Sequence, residues 1–220
     1  MRAVSDKKER SDGRETREAI LAEAEREFAA NGFEQTSVRA ICKAAGVNVA
    51  LANRYFGNKE NLYRTVAKRL FGDLGEPMTH LAGTVTDAKS WRAAVKTWVD
   101  DFLYMTLPDA RAQRLCAGLF RHEVVQPTAF HEEFRREFGK PVYDSLVALL
   151  SMATDDESVR AHWTAFVWAQ VSVYALADGR WHGAFRPKGA SVAAWRESIG
   201  KFICENIYRG LRYRPGKERK

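Results

Sequence analysis

The sequence predicts an all-α protein: an N-terminal three-helix helix-turn-helix domain followed by a larger helical domain. Three observations lead there. Apolar residues recur at spacings of three and four through almost every segment. Val, Ile and Thr nowhere alternate with polar residues over the length of a strand. Two short helical segments, about 38–45 and 48–56, flank Gly46, the pattern of two helices joined by a tight turn.

The first helix is expected over about Arg14–Asn31, with Ile20, Ala24 and Phe28 on one face and Gly32 as its stop. The charged residues before it, 1–12, are expected to be a disordered arm. Thr36-Ser37 supplies an N-cap for the second helix, whose apolar positions Val38, Ile41, Cys42 and Ala45 follow the helical period. The third helix runs from about Asn48 to Phe56, and Asn58 caps a fourth with Leu62, Val66 and Leu70 as its core face. Gly72, Gly75 and Pro77 end that unit, giving a first domain over 13–72.

The second domain is expected over 73–210. One helix spans about Ser90–Met105, with Trp91, Val95, Trp98 and Phe102 in register. Another follows Pro108 and carries Leu115, Leu119 and Phe120. A third follows Pro127, with Phe130, Phe134, Phe138, Val142 and Leu146 repeating every four residues. Two long helices, about 157–177 and 191–209, close the domain around a loop with Gly179, Gly183, Pro187 and Gly189. A basic, mobile tail over 211–220 is expected last.

The chain has 220 residues, 45% of them apolar, enough to bury a sizeable core. Its N-terminus lacks the apolar run of a signal peptide. The longest uncharged apolar stretch, residues 163–177, is 15 residues long and contains Thr, Gln and Ser. A membrane span needs about 20 residues, so a buried helix and no membrane partner are expected. Cys42, Cys116 and Cys204 are odd in number and form no CxxC, as in a reduced, cytoplasmic chain. The formal net charge is +7. Its distribution says more: residues 36–69 carry a net +6, whereas 15–34 carry −4. Positive charge falls on the helices that would face a polyanion, with the acidic first helix behind them.

The stretch "GFEQTSVRAICKAAGVNVALANRYFGNKENLY" resembles the DNA-binding region of the TetR family of bacterial regulators. Gly32-Phe33, Thr36-Ser37, Val38, Ile41, Ala44-Ala45-Gly46-Val47, Phe56, Gly57, Lys59-Glu60 and Leu62 carry the likeness, which covers about residues 14–63. The family usually has Tyr where this chain has Asn53, two residues before Tyr55. Residues 114–134, "RLCAGLFRHEVVQPTAFHEEF", are similar to the CecR-like subgroup. The resemblance implies a homodimer whose C-terminal domain binds a small-molecule effector and whose release from a palindromic operator relieves repression. A DNA-binding or activating regulator without ligand response is the alternative.

Candidate DNA contacts follow. Thr36 and Ser37, at a helix N-terminus, suit a phosphate or simply cap the helix. Arg39 can reach a guanine or a phosphate. Asn48, Val49, Ala50 and Leu51 form the first turn of the recognition helix, where Leu51 packs either on a thymine methyl or in the core. Asn53 can pair with adenine, and Arg54 can bind a base or phosphate. Tyr55 and Lys59 match phosphate-contact positions of the family.

Among the large side chains of the second domain, Trp98, Phe102, Phe120, Arg121, Glu123 and Trp163 are the candidates for effector contact. For Arg121 and Glu123 an internal ion pair is the alternative. The final two helices, over 157–177 and 191–209, would pair with those of a second copy in a four-helix interface. No HExxH, GxGxxG, P-loop or GxSxG occurs, so no catalytic residue, metal or cofactor is expected.

Overall fold

The structure, a computed structural model, describes residues 2–72, 76–107, 111–176 and 184–214, with side chains described in all of these except 2–12, 76 and 111–113. The features expected at Gly75, Pro108, Gly179, Gly183 and 215–220 lie outside them. Among the described residues there are helices and no strand.

Four helices make the N-terminal unit. Helix α1 (Arg2–Gln35) buries Ile20, Leu21, Ala24 and Phe28. It begins at Arg2, where a disordered arm was expected. No proline or glycine interrupts 2–12, and Ala, Lys, Glu and Arg there are good helix formers. The backbone leaves helical geometry at the expected stop, Gly32 (φ 74°). Helices α2 (Val38–Ala44), α3 (Val49–Phe56) and α4 (Lys59–Phe71) each open on a capped turn. The side chains of Ser37, Asn48 and Asn58 accept from the backbone N–H groups of Ala40, Ala50 and Asn61.

The turn between α2 and α3 depends on Gly46, whose φ of 68° disfavours any side chain. Val47 N–H donates to the Cys42 carbonyl at 2.9 Å and Gly46 N–H to that of Lys43 at 3.3 Å, the paired bonds of a Schellman C-cap. Val47 then packs on the core. Ile41, Cys42, Ala52, Phe56, Leu62 and Val66 meet the buried face of α1. Tyr63 and Phe71 are also buried on α4, while Leu70 is half-buried.

The second domain comprises α5 (Glu76–Thr79), a 3₁₀ turn (Leu81–Thr84), α6 (Ala88–Thr106), α7 (Arg111–Val125), α8 (His131–Phe134), a π-helical turn (Arg135–Gly139), α9 (Lys140–Ser151), α10 (Glu157–Leu176) and α11 (Val192–Gly210). A capping box between Asp87 and Ser90 opens α6. α6 then buries Trp91, Val95, Trp98 and Phe102 and packs on α7, α9, α10 and α11. The run Phe130, Phe134, Phe138, Val142 and Leu146 strides by four. In a 3.6-residue helix each such step drifts by roughly 40°. The wider π turn at Arg135–Gly139 absorbs part of that drift.

Two contacts join the domains or fix their ends. α7 crosses α1 so closely at Gly118 that a Cβ there would lie 2.5 Å from the Ala29 carbonyl oxygen. The tail, expected to be mobile, is held through residue 214. Leu211 is buried, Tyr213 packs on Trp91, and Arg214 N–H donates to the Met152 carbonyl at 2.9 Å.

Candidate functional site

The surface formed by α2 and α3 combines free polar groups with two helix N-termini. Ala52 and Phe56 anchor α3 inward, and Val49 and Tyr55 are half-buried against the same core. That leaves Ala50, Asn53 and Arg54, related by helical spacing, exposed on the opposite face. Leu51 is half-buried but does not pack on the core. Asn48 is exposed with its amide oxygen occupied by the Ala50 N–H at 2.9 Å, so its NH₂ remains to donate. Ser37 and Arg39 are exposed at the start of α2.

Thr36 is placed differently from expectation. It is buried, and its hydroxyl donates to the Gly32 carbonyl at 2.7 Å and the Glu27 carbonyl at 3.2 Å. Its side chain closes the end of α1 and does not face outward, so Ser37 alone serves the start of α2. Lys59 sits at the first position of α4, its ammonium 4.3 Å from the centre of the Phe33 ring and 3.5 Å from the Glu34 carbonyl oxygen. A cation at the positive end of a helix dipole is unfavourable alone and suits a nearby anion.

The positive charge of α4 is largely committed within the molecule. Arg64 Nε lies 2.8 Å from Glu133, Lys68 lies 3.4 Å from Glu137 and 3.8 Å from Glu133, and Arg69 pairs with Glu18 and Glu25. The net +6 of residues 36–69 therefore overstates the charge offered outward. Arg39, Lys43 and Arg54 are its exposed cations on α2 and α3.

Glu123 is completely buried and lies between the domains. Tyr63 of α4 donates its phenolic O–H to Glu123 Oε1 at 2.6 Å, and Thr128 donates to the same oxygen at 2.8 Å. His131 Nδ1 lies 3.4 Å from Glu123 Oε2. Burial, with the carboxylate as a second cause, pushes the Tyr63 hydroxyl far above its usual range, so it stays protonated as a donor. Glu123 thus sits in an internal polar network, and its neighbours are not those of the ion pair with Arg121 that the sequence offered as an alternative. Its partners are Tyr63, Thr128 and His131, with Arg121 half-buried elsewhere on α7.

A cavity of about 220 Å³ lies where α4, α6, α7, the π turn and α10 meet. Six aromatic side chains wall it: Phe71, Phe102, Phe120, Phe134, Phe138 and Trp168. Thr79 and Glu137 are its polar side chains, and among the described residues no Lys, Arg or His lines it. Phe71 meets Phe134 edge-on at 5.0 Å, and Phe102 meets Trp168 at 5.1 Å. Of the sequence candidates, Phe102 and Phe120 line the cavity. Trp98 stands behind it, stacked on Phe102 at 5.3 Å, with its indole N–H on Ser145 Oγ at 2.9 Å. Trp163 is remote from it, in a shallow outward depression with His162, Phe166 and Asn206. Arg121 and Glu123 do not line it.

Residues 20–73 match the family model described as bacterial regulatory proteins, tetR family. The N-terminal unit therefore carries the domain of the tetR family of bacterial regulatory proteins. Solved structures share its fold along nearly the whole length. HlyIIR, a hemolysin II transcriptional regulator, is 20% identical with a TM-score of 0.61, over 92% of this chain and 99% of that one. A TetR-like transcriptional regulator from Rhodococcus sp. RHA1 is 18% identical with a TM-score of 0.61, over 88% and 96%. The transcriptional regulator FadR from Bacillus subtilis, in complex with stearoyl-CoA, is 17% identical with a TM-score of 0.62, over 86% and 98%. No curated protein matches the chain.

Within this architecture, sequence reasoning missed Tyr63, Phe71, Glu137 and Trp168. The core face assigned to α4 named Leu62, Val66 and Leu70, and nothing local marks Tyr63 as the donor to a carboxylate on α7. Phe134 and Phe138 were visible as an apolar stripe but not as cavity wall. The cysteines are inert by placement. Burial raises all three, Cys116 to about 12 and Cys204 to about 11, so little reactive thiolate forms at neutral pH. Among the described residues no cluster of His, Cys, Asp or Glu could hold a metal, and no helix is long and apolar enough to cross a membrane.

Proposed function

We propose that this regulator is a homodimeric repressor that leaves a palindromic operator when a small effector fills the cavity beneath α4. One observation carries this reading. The cavity is lined by Phe71 and Gly72 at the C-terminal end of α4, while the N-terminal end of the same helix directly follows the recognition helix. A guest that displaces Phe71 therefore acts on the helix that supports α3. The FadR structure with stearoyl-CoA supports a ligand-responsive reading, since that protein of the same fold holds a small molecule.

DNA contact is assigned to Ser37, Arg39, Asn48, Ala50, Leu51, Asn53, Arg54 and Lys59, with Val49 and Tyr55 as supports from the core side. The operator-binding domain is taken as 13–72 and the effector and dimerisation domain as 73–210, acting in the cytoplasm. The dimer interface is assigned to α10 and α11. Val159, Phe166 and Val173 on α10 and Phe202 on α11 are exposed apolar side chains, an arrangement that suits burial against a second copy.

The test is footprinting of the pure protein on the DNA upstream of its own coding sequence, at fixed salt. A protected palindrome of one dimer's width is expected. Protection of a single asymmetric half-site by a monomer overturns the dimeric reading, and no protection removes autoregulation.

A further inference from the structure

We infer that the cavity takes a small cationic aromatic ligand, and that Glu137 is its counter-ion, exchanged from Lys68. This rests on the cavity being the effector site. Three observations carry it. The walls are aromatic faces and edges, which attract a cation through the ring quadrupole when water is excluded. Glu137 is the sole charged side chain among the described lining residues. A carboxylate or phosphate guest would meet that like charge with no basic side chain among the described lining residues. At about 220 Å³ the cavity is smaller than the roughly 300–1,000 Å³ of drug-sized ligand sites, so the guest is compact.

Glu137 already has a partner that a ligand can replace. Its carboxylate lies 3.4 Å from Lys68 Nζ on α4, and the Lys68 side chain is 55% exposed. Exposed ion pairs of this kind are weak and easily exchanged. A cationic headgroup at the cavity mouth competes with Lys68 for Glu137 while its ring displaces Phe71. Both events loosen the same end of α4: one breaks the charge link to the π turn, the other shifts the packed aromatic. Lys68 keeps Glu133 at 3.8 Å as an alternative partner, so the exchange leaves no buried unpaired charge.

The experiment compares phenyltrimethylammonium with its uncharged isostere tert-butylbenzene and with 4-tert-butylbenzoate, by titration calorimetry on the full chain. The cation is expected to bind at least about tenfold tighter than the isostere, and the benzoate not at all. Glu137→Gln should remove that preference, with less than about a twofold change for tert-butylbenzene. Lys68→Met should tighten the cation by removing its competitor. Equal binding of cation and isostere, or a cation affinity untouched by Glu137→Gln, overturns the counter-ion assignment and leaves the cavity as effector site. Binding of neither overturns both. Unchanged melting of Glu137→Gln checks that the fold is intact.

Discussion

At the scale of single residues, α3 separates side chains that anchor the helix from side chains that it leaves exposed. Asn53 is exposed on α3, so Asn53→Ala should relax preference at one operator position without weakening the rest. Binding across a base-substitution series checks this, and an unchanged preference argues against direct readout. Lys59→Ala should weaken binding to all sequences and reduce the salt slope by about one unit. A slope equal to that of the parent protein removes Lys59 from the phosphate set. Tyr63→Phe leaves buried Glu123 with Thr128 as its one hydroxyl donor, and should cost about 1–3 kcal/mol. Urea unfolding reads that cost as a lower midpoint with unchanged slope. The exposure of Ser37, Arg39, Asn48, Asn53 and Arg54 was legible because caps, turns and helix faces are local patterns. Tyr63 was not, because its partner lies 60 positions away and a tyrosine beside a leucine on an apolar face looks like plain core. Thr36 misled for a related reason: a Thr-Ser pair predicts a cap, but not which hydroxyl turns inward.

At the scale of elements, helix boundaries followed from punctuation. Ser37, Gly46, Asn48 and Asn58 mark starts and stops that the structure keeps within a residue or two. The π turn was not legible as such, although the four-residue stride from Phe130 to Leu146 was its trace. The crossing of α1 and α7 was invisible, since Gly118 inside a helical pattern carries no sign of what approaches it. Gly118→Ala should force these helices apart, at about 1–3 kcal/mol as for other overpacked cores. A denaturation midpoint equal to the parent's would mean that α7 yields there without cost. The pairing of α10 with α11 inside one subunit is slight, and α11 rests chiefly on α6. Both long apolar helices instead find α6 as their main neighbour within the subunit.

At the scale of the whole molecule, fold class and domain order followed from periodicity and one turn, whereas the cavity needed side chains from eight elements. The dimer face likewise depends on which flank of a helix its own subunit leaves bare. Ile203, central in the apolar pattern of the last helix, is fully buried within the subunit, whereas its neighbour Phe202 is 59% exposed. Phe202→Glu should therefore abolish dimers in sedimentation while keeping the subunit's melting temperature. A dimer that survives moves the interface elsewhere. The contact of Gly118 with Ala29 has a mechanical consequence as well. A backbone pressed on a backbone resists closer approach, so a relative motion of α1 and α7 there would be a tilt about that contact as a fulcrum. In a two-fold assembly, equal tilts about the two fulcrums turn the recognition helices in opposite senses, so their separation changes by twice what either subunit contributes. A displacement too small to notice in one protomer can then put the pair out of step with the helical repeat of DNA.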